Sequence, residues 1–215
     1  MKIWDISRTL SDEFAEWPGD EPFRYRVTNE IAKGASVNLG AIAMSVHNGT
    51  HADARFHFEI NGVSIEKAPL ETYLGRATVV DLSDTFFQSA EKHLITREDL
   101  RQHAEDIAAT SRLLVKTGRW SDSTVFPNRI PVIAADVPAW LQKNVLKLLG
   151  VDLPSMDEID SKSLQNHHVL ARAGIAIIES LDLSGVAPGI YSFAALPLKL
   201  AGADGAPVRA VLWRD

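Results

Sequence analysis

The chain of 215 residues contains no cysteine. That excludes a disulfide framework and any zinc site built on thiolates, so histidine, aspartate and glutamate remain as the strong ligands for a transition-metal ion. A site of that composition leans towards catalysis rather than fold support. Long apolar runs are also missing: none approaches the ~18 residues that a membrane span needs. Basic residues are few, with 22 Lys and Arg against 28 Asp and Glu and a net charge of −6. That sign is wrong for a nucleic-acid partner held by phosphate neutralisation. The start, Met1-Lys2-Ile3-Trp4-Asp5, lacks an apolar signal core, which makes the cytoplasm the expected location. No repeat, low-complexity tract or linker interrupts the chain, and a single domain over residues 1–215 is expected.

What is present is a dense run of ligand chemistry: His47-Asn48-Gly49-Thr50-His51-Ala52-Asp53-Ala54-Arg55-Phe56-His57. It holds three of the seven histidines and a carboxylate. Such a set suits zinc or a similar divalent ion. If 51–57 is extended, His51, Asp53, Arg55 and His57 share one face, because side chains alternate along a strand. The Asn48-Gly49 turn can fold His47 back towards His51, since glycine accepts positive φ at little cost. His47, His51 and Asp53 then surround one ion, and His57 stays nearby to move protons. A helical alternative also exists, because His47/His51 and Asp53/His57 are both four apart. Asn48-Gly49 argues against it.

Around this run the pattern predicts strands at 23–31, 36–46, 76–82, 111–117, 131–135, 175–181, 190–196 and 208–213. Thr96 with Asp99 resembles a capping box that opens a helix to about Ala109. A second helix is expected over 138–149, with Pro138 in its first turn and Gly150 as its stop. A third runs from Gln165 to Ala173 and ends at Gly174. Residues 1–22 read as mostly irregular, with a turn at Trp17-Pro18-Gly19-Asp20. This content points to a mixed α/β fold with a substantial sheet or barrel.

A second cluster lies far along the chain, at His167-His168 and Glu179. Glu179 ends the apolar run Ile175-Ala176-Ile177-Ile178. An ionised carboxylate on a buried strand is costly unless it is paired or metal-bound. Ligands also collect at the C-terminal ends of strands in open α/β sheets. His93 and His103 have no such company and read as surface residues.

The pattern His-x-Gly-Thr-His-x-Asp-x-x-x-His, from His47 to His57, resembles the signature of the cyclase-like metal-dependent hydrolases. Further stretches resemble the bacterial kynurenine formamidases (arylformamidases) within them. These are Trp17 to Asp20, Asp157 through Lys162 leading to His167-His168, Arg172 to Ile177, and Leu196 to Asp204. The resemblance implies a strand-rich, swivelling β/β/α cyclase-like fold with a central sheet or barrel flanked by helices. It implies two divalent metal ions per subunit, usually zinc, with manganese as the alternative. His47, His51 and Asp53 would hold the first ion, Asp53 would bridge, and His167 and Glu179 would complete the second. The spacing of His167 and Glu179 favours His167 over His168. The resemblance makes His57 the general acid/base and Trp17 a wall of the substrate pocket. The implied reaction is hydrolysis of N-formyl-L-kynurenine to L-kynurenine and formate, by a homodimer, with a small aromatic formamide as the partner molecule. A sister hydrolase acting on isatin or another cyclic amide is the alternative, and a non-catalytic metal-binding protein the distant one. Asn48 and Arg55-Phe56 depart from the common pattern. Neither removes a ligand, but Arg55 adds a charge that bears on substrate preference.

Overall fold

The computed structural model describes residues 1–89 and 91–214. Its frame is a nine-stranded sheet. Four parallel strands form the middle: Leu74–Asp81, Arg112–Lys116, Leu148–Val151 and Ala176–Glu179. Antiparallel strands extend it in both directions. On one side lie Gly189–Ala194, Val211–Arg214 and, at the edge, Lys2–Asp5. On the other lie His51–Asp53 and, at the edge, Gly205–Pro207. Only residues 208–210 separate Gly205–Pro207 from Val211–Arg214, although these strands belong to opposite wings. The sheet must therefore curl into a half-barrel to bring its wings together.

The apolar runs read from the sequence are buried on both faces, as parallel strands require. Leu113, Val115, Leu149, Val151 and Ile177 pack on one face in a core with Phe86, Leu100, Ile107, Leu141 and Leu170. The last three come from helices Ala104–Thr110, Val137–Lys143 and Gln165–Arg172, which cross between the parallel strands. Leu114, Leu148 and Ile178, the alternating residues, face the inside of the curl. There they meet Ile6, Ala52, Tyr191, Phe193, Ala206 and Leu212. The hairpin Arg24–Asn29 with Leu39–Ala43 stands apart as a two-stranded sheet, and Leu94–Ile95 pairs with Val132–Ile133 as another.

Four expectations are corrected. Residues 2–5 are an edge strand rather than irregular chain; four residues are too few to show a period. The helix from Thr96 breaks into Arg97–Arg101 and Ala104–Thr110, although the capping box forms, with Thr96 and Asp99 each bonding the other's backbone. The helix expected over 138–149 stops at Lys143, and Leu148–Val151 is a central strand. Gly150 is therefore no helix stop: a Cβ there would lie 2.6 Å from Leu114 Cδ2 and 2.8 Å from Leu181 Cδ1. The fourth correction concerns the ligand run itself. Its strand ends at Asp53, and Arg55–His57 is a turn of 3-10 helix.

Candidate functional site

The strand His51–Asp53 lies between Ala176–Glu179 and Gly205–Pro207. Its register sets Glu179 opposite His51 and Gly205 opposite Asp53. Directly paired residues project on the same face, so strand pairing alone brings Glu179 to the histidine run. His167 arrives from the first turn of Gln165–Arg172, the helix that leads into Glu179's strand. Gly49, at φ +67°, makes the predicted turn that returns His47 to His51, and the two rings meet edge to face at 4.9 Å.

All five residues named as ligands converge. Asp53 Oδ1 lies 3.2 Å from His47 Nδ1 and 3.4 Å from His51 Nε2, and its Oδ2 lies 3.4 Å from His167 Nε2. Glu179 Oε2 faces His51 Nε2 at 3.5 Å, while Oε1 faces His167 Nε2 at 3.3 Å. Both carboxylates thus straddle two sets of imidazoles. The nitrogens on the far side are engaged elsewhere: His51 Nδ1 donates to the Gly49 carbonyl at 2.9 Å and His167 Nδ1 to Asp157 Oδ2 at 2.6 Å. Each Nε2 therefore keeps its lone pair for the shared space. His168, beside its buried neighbour, is in none of the metal-ligand groups among the described residues and meets the ring of Phe58 at 5.4 Å.

The donor set fits a cation. His51 Nε2 and both oxygens of Asp53 are buried and make no hydrogen bond. Orphaned buried polar atoms are costly, and here they converge on one another. Among the described residues, no Lys or Arg pairs with Asp53 or Glu179. Burial opposes protonation of His51, but the facing carboxylates of Asp53 and Glu179 outweigh it and raise its pKa to about 10. Burial likewise opposes His47, and Asp204 and Asp53 raise it to about 9. Without a cation the carboxylates thus hold protons on these imidazoles, and a divalent ion would take the place of those protons on the facing nitrogens.

His57 lies just outside this cluster, with its ring 4.1 Å from that of His47. Its Nδ1 is 3.3 Å from Asp204 Oδ2, and His47 Nε2 reaches the same oxygen at 3.0 Å. Hydrogen bonding from His47, and then from His57, holds the Asp204 carboxyl far below its usual range. An ionised carboxylate only accepts, so His57 Nδ1 is the donor in this bond and Nε2 is the ring nitrogen not engaged by Asp204.

A cavity of about 450 Å³ opens above His47, His51, His57, His167 and Glu179. Aromatic rings build its wall in a chain: Trp17 meets Phe126 at 5.3 Å, Phe126 meets Trp120 at 6.2 Å, and Trp120 meets Phe14 at 5.9 Å. Trp17 is presented by the predicted turn, closed by the Asp20 amide donating to the Trp17 carbonyl at 3.0 Å. Arg55 does not line this cavity. It pairs with Glu59 at 3.1 Å and borders a neighbouring one. Asn48 is buried, and its Nδ2 donates to the Glu21 carbonyl, a structural task.

Sequence reasoning assigned no role to Asp157 or Asp204, although both fall in stretches that carry the resemblance. Trp120 and Phe126 were also without a role. The signal for Asp157 was present: an acid ten residues before His167 in a chain where each buried imidazole needs an acceptor. For the aromatic wall there was none, because its rings meet only in three dimensions.

Residues 4–158 match the family model described as "Putative cyclase". The chain is 44% identical to a kynurenine formamidase of Geobacillus thermodenitrificans (strain NG80-2), over 99% of this chain and 98% of the relative. The chain belongs to the cyclase family, among the kynurenine formamidases. A structure described as a predicted metal-dependent hydrolase from Bacillus stearothermophilus superposes on this family member with a TM-score of 0.77. It is 26% identical, over 98% of this chain and 97% of the other. Isatin hydrolase A from Labrenzia aggregata shares the fold with a TM-score of 0.81 at 21% identity, over 98% of this chain and 93% of the other. The chain is a hydrolase with a metal cofactor: its relatives are formamidases and metal-dependent hydrolases, and its histidines and carboxylates form metal-ligand groups. No helix among the described residues is long and apolar enough to cross a membrane.

Proposed function

We propose that this family member hydrolyses N-formyl-L-kynurenine to L-kynurenine and formate, with two zinc ions held by His47, His51, Asp53, His167 and Glu179, manganese being the alternative. The observation that carries the reading is the junction of two features in one cavity. His47, His51, His167 and Glu179 form its floor, with His51 Nε2 left without a hydrogen bond and the orphaned oxygens of Asp53 against these imidazoles, and a chain of aromatic rings forms its wall. Asp53 and Glu179 each direct their two oxygens to different imidazoles, so these carboxylates would be the ligands shared between two ions held here. When bound, such ions supply an activated water at neutral pH and polarise the formyl oxygen.

The chain's own residues do the rest. Trp17 and Phe126 offer apolar faces for the aryl ring and orient the formamide over the cluster. His57 Nε2, the ring nitrogen not engaged by Asp204, takes a proton as the carbonyl is attacked. It returns that proton to the departing aniline nitrogen, which otherwise leaves as a poor anion. Asp204 fixes the orientation of this imidazole.

We also propose a homodimer. The hairpin Arg24–Asn29 and Leu39–Ala43 is exposed along almost its whole length, with Tyr25, Val27, Leu39 and Ile42 open to solvent. A two-stranded hairpin alone is marginal in water, and a second copy of this chain would cover these side chains. Sedimentation of the protein checks it; a monomer at micromolar concentration overturns it.

The test of function is turnover of N-formyl-L-kynurenine by protein loaded with zinc or manganese, followed by the absorbance of the released aniline. Asp53→Ala should lose metal and activity together. Absence of turnover with either metal overturns the substrate, and full metal occupancy in Asp53→Ala overturns the bridging role.

A further inference from the structure

The rim of the cavity carries charges that the hydrolytic step does not need. Glu16 and Asp20 flank Trp17 on either end of its turn, and both line the cavity. Lys162 lines it from a separate segment, the loop before helix Gln165–Arg172. Asp20 is held in place by the Ser45 hydroxyl, which donates to its Oδ2 at 2.9 Å. None of the three forms an ion pair among the described residues, although they share one cavity with opposite signs. Two opposite charges kept apart across a gap are left open to a ligand that carries both.

Cleaving an aryl formamide calls only for the His and carboxylate floor, His57 and the aromatic wall. A formylated aniline with no further polar group would satisfy all of these. Yet the rim adds one ammonium on one segment and two carboxylates on another, and the carboxylates sit on the same turn as the ring platform Trp17. A substrate whose ring rests on Trp17 and carries an amino-acid side chain would bring an ammonium and a carboxylate to this rim.

We infer that Lys162, with Glu16 and Asp20 lining the same cavity from another segment, forms a zwitterion subsite that selects aryl formamides bearing an α-amino acid group. Lys162 takes the carboxylate, and Asp20, with Glu16, takes the ammonium. The inference rests on the formamidase reading above and adds the residues that choose among formamides. The subsite lies away from the reacting carbonyl, so it binds ground state and transition state alike. Its loss raises KM and leaves kcat nearly unchanged.

The experiment compares three substrates on the metal-loaded protein: N-formyl-L-kynurenine, 4-(2-formamidophenyl)-4-oxobutanoate, which lacks the ammonium, and 2′-formamidoacetophenone, which lacks the whole amino-acid group. The wild type should favour the first over the third in kcat/KM. Lys162→Met should lower that preference about tenfold, through KM, and should also weaken the carboxylate-only substrate. Asp20→Asn should raise KM for N-formyl-L-kynurenine and leave the ratio of the other two substrates as in the wild type. Equal effects of Lys162→Met on all three substrates, or none, overturn the subsite while the formamidase reading stands. Failure of the wild type to cleave any of the three overturns that reading, and the subsite with it.

Discussion

His167 Nδ1 donates a 2.6 Å hydrogen bond to Asp157 Oδ2, ten residues earlier in the chain. The same carboxylate accepts the His167 amide at 3.1 Å, and its Oδ1 accepts the Asn166 amide at 3.0 Å. Burial pushes the Asp157 carboxyl up, but these bonds, led by that from His167, leave it below its ordinary value. It is therefore ionised, and it fixes which nitrogen of His167 faces Asp53 and Glu179. Asp157→Asn keeps the size but loses the charge. We expect metal affinity to fall about 10–100-fold, measured by competition with a chromogenic chelator. Unaltered affinity would remove Asp157 from the support of the site.

His57 is bound to no metal-facing oxygen of Asp53 or Glu179 and is the most solvent-open of the clustered histidines. His57→Ala should lower kcat about 10²–10⁴-fold, the range for a lost general acid/base, while metal content by elemental analysis stays at the wild-type level. Normal turnover would assign proton transfer elsewhere. Loss of metal would make His57 a ligand, as the grouping of His47, His57 and Asp204 allows.

Gly150→Ala tests the packing of the curl. The added methyl comes closer than van der Waals contact to Leu114 from the neighbouring strand and to Leu181, so one or both side chains must shift. Overpacking of this kind costs about 1–3 kcal/mol. Urea unfolding should show a lower midpoint with an unchanged m-value. No shift would mean that these leucines move aside freely.

Stability should also depend on Asp81. Burial raises its carboxyl, but Lys116 at 2.8 Å and the Ser83 hydroxyl and amide outweigh it, leaving the folded-state pKa below 3.8. A carboxyl depressed on folding contributes stability that is present above its unfolded pKa and lost as pH falls through the folded one. Asp81→Asn should therefore cost about 1 kcal/mol or less at neutral pH. The gap from wild type should close below about pH 4, near the unfolded carboxyl value. A gap that persists at pH 2 would trace to lost hydrogen bonding instead of charge.

Much of this site is written locally. The absence of cysteine dictates His and carboxylate ligands. The spacing from His47 to Asp53, with glycine at 49, dictates a turn followed by alternating side chains, because those preferences act over a few residues. Glu179 at the end of an apolar run announces a buried charge that needs a partner. The central strands 74–81, 112–116 and 176–179 were legible for the same reason: apolar runs buried on both faces carry their own signature.

What tertiary structure decided is everything that depends on which strand lies beside which. His57 leaves the strand at a 3-10 turn and meets Asp204, 147 residues away, only because residues 205–207 pair with residues 51–53. The strand at Leu148–Val151 reads as a helix end until its place between Arg112–Lys116 and Ala176–Glu179 is known, where glycine is needed for close approach. Arg55 falls outside the cavity that His57 lines, and Lys162 joins Glu16 and Asp20 in lining it although they are far apart in the chain. Local preferences are set by a residue and its immediate neighbours. The site is set by cross-strand register and by burial, and those are supplied by residues a hundred or more positions away.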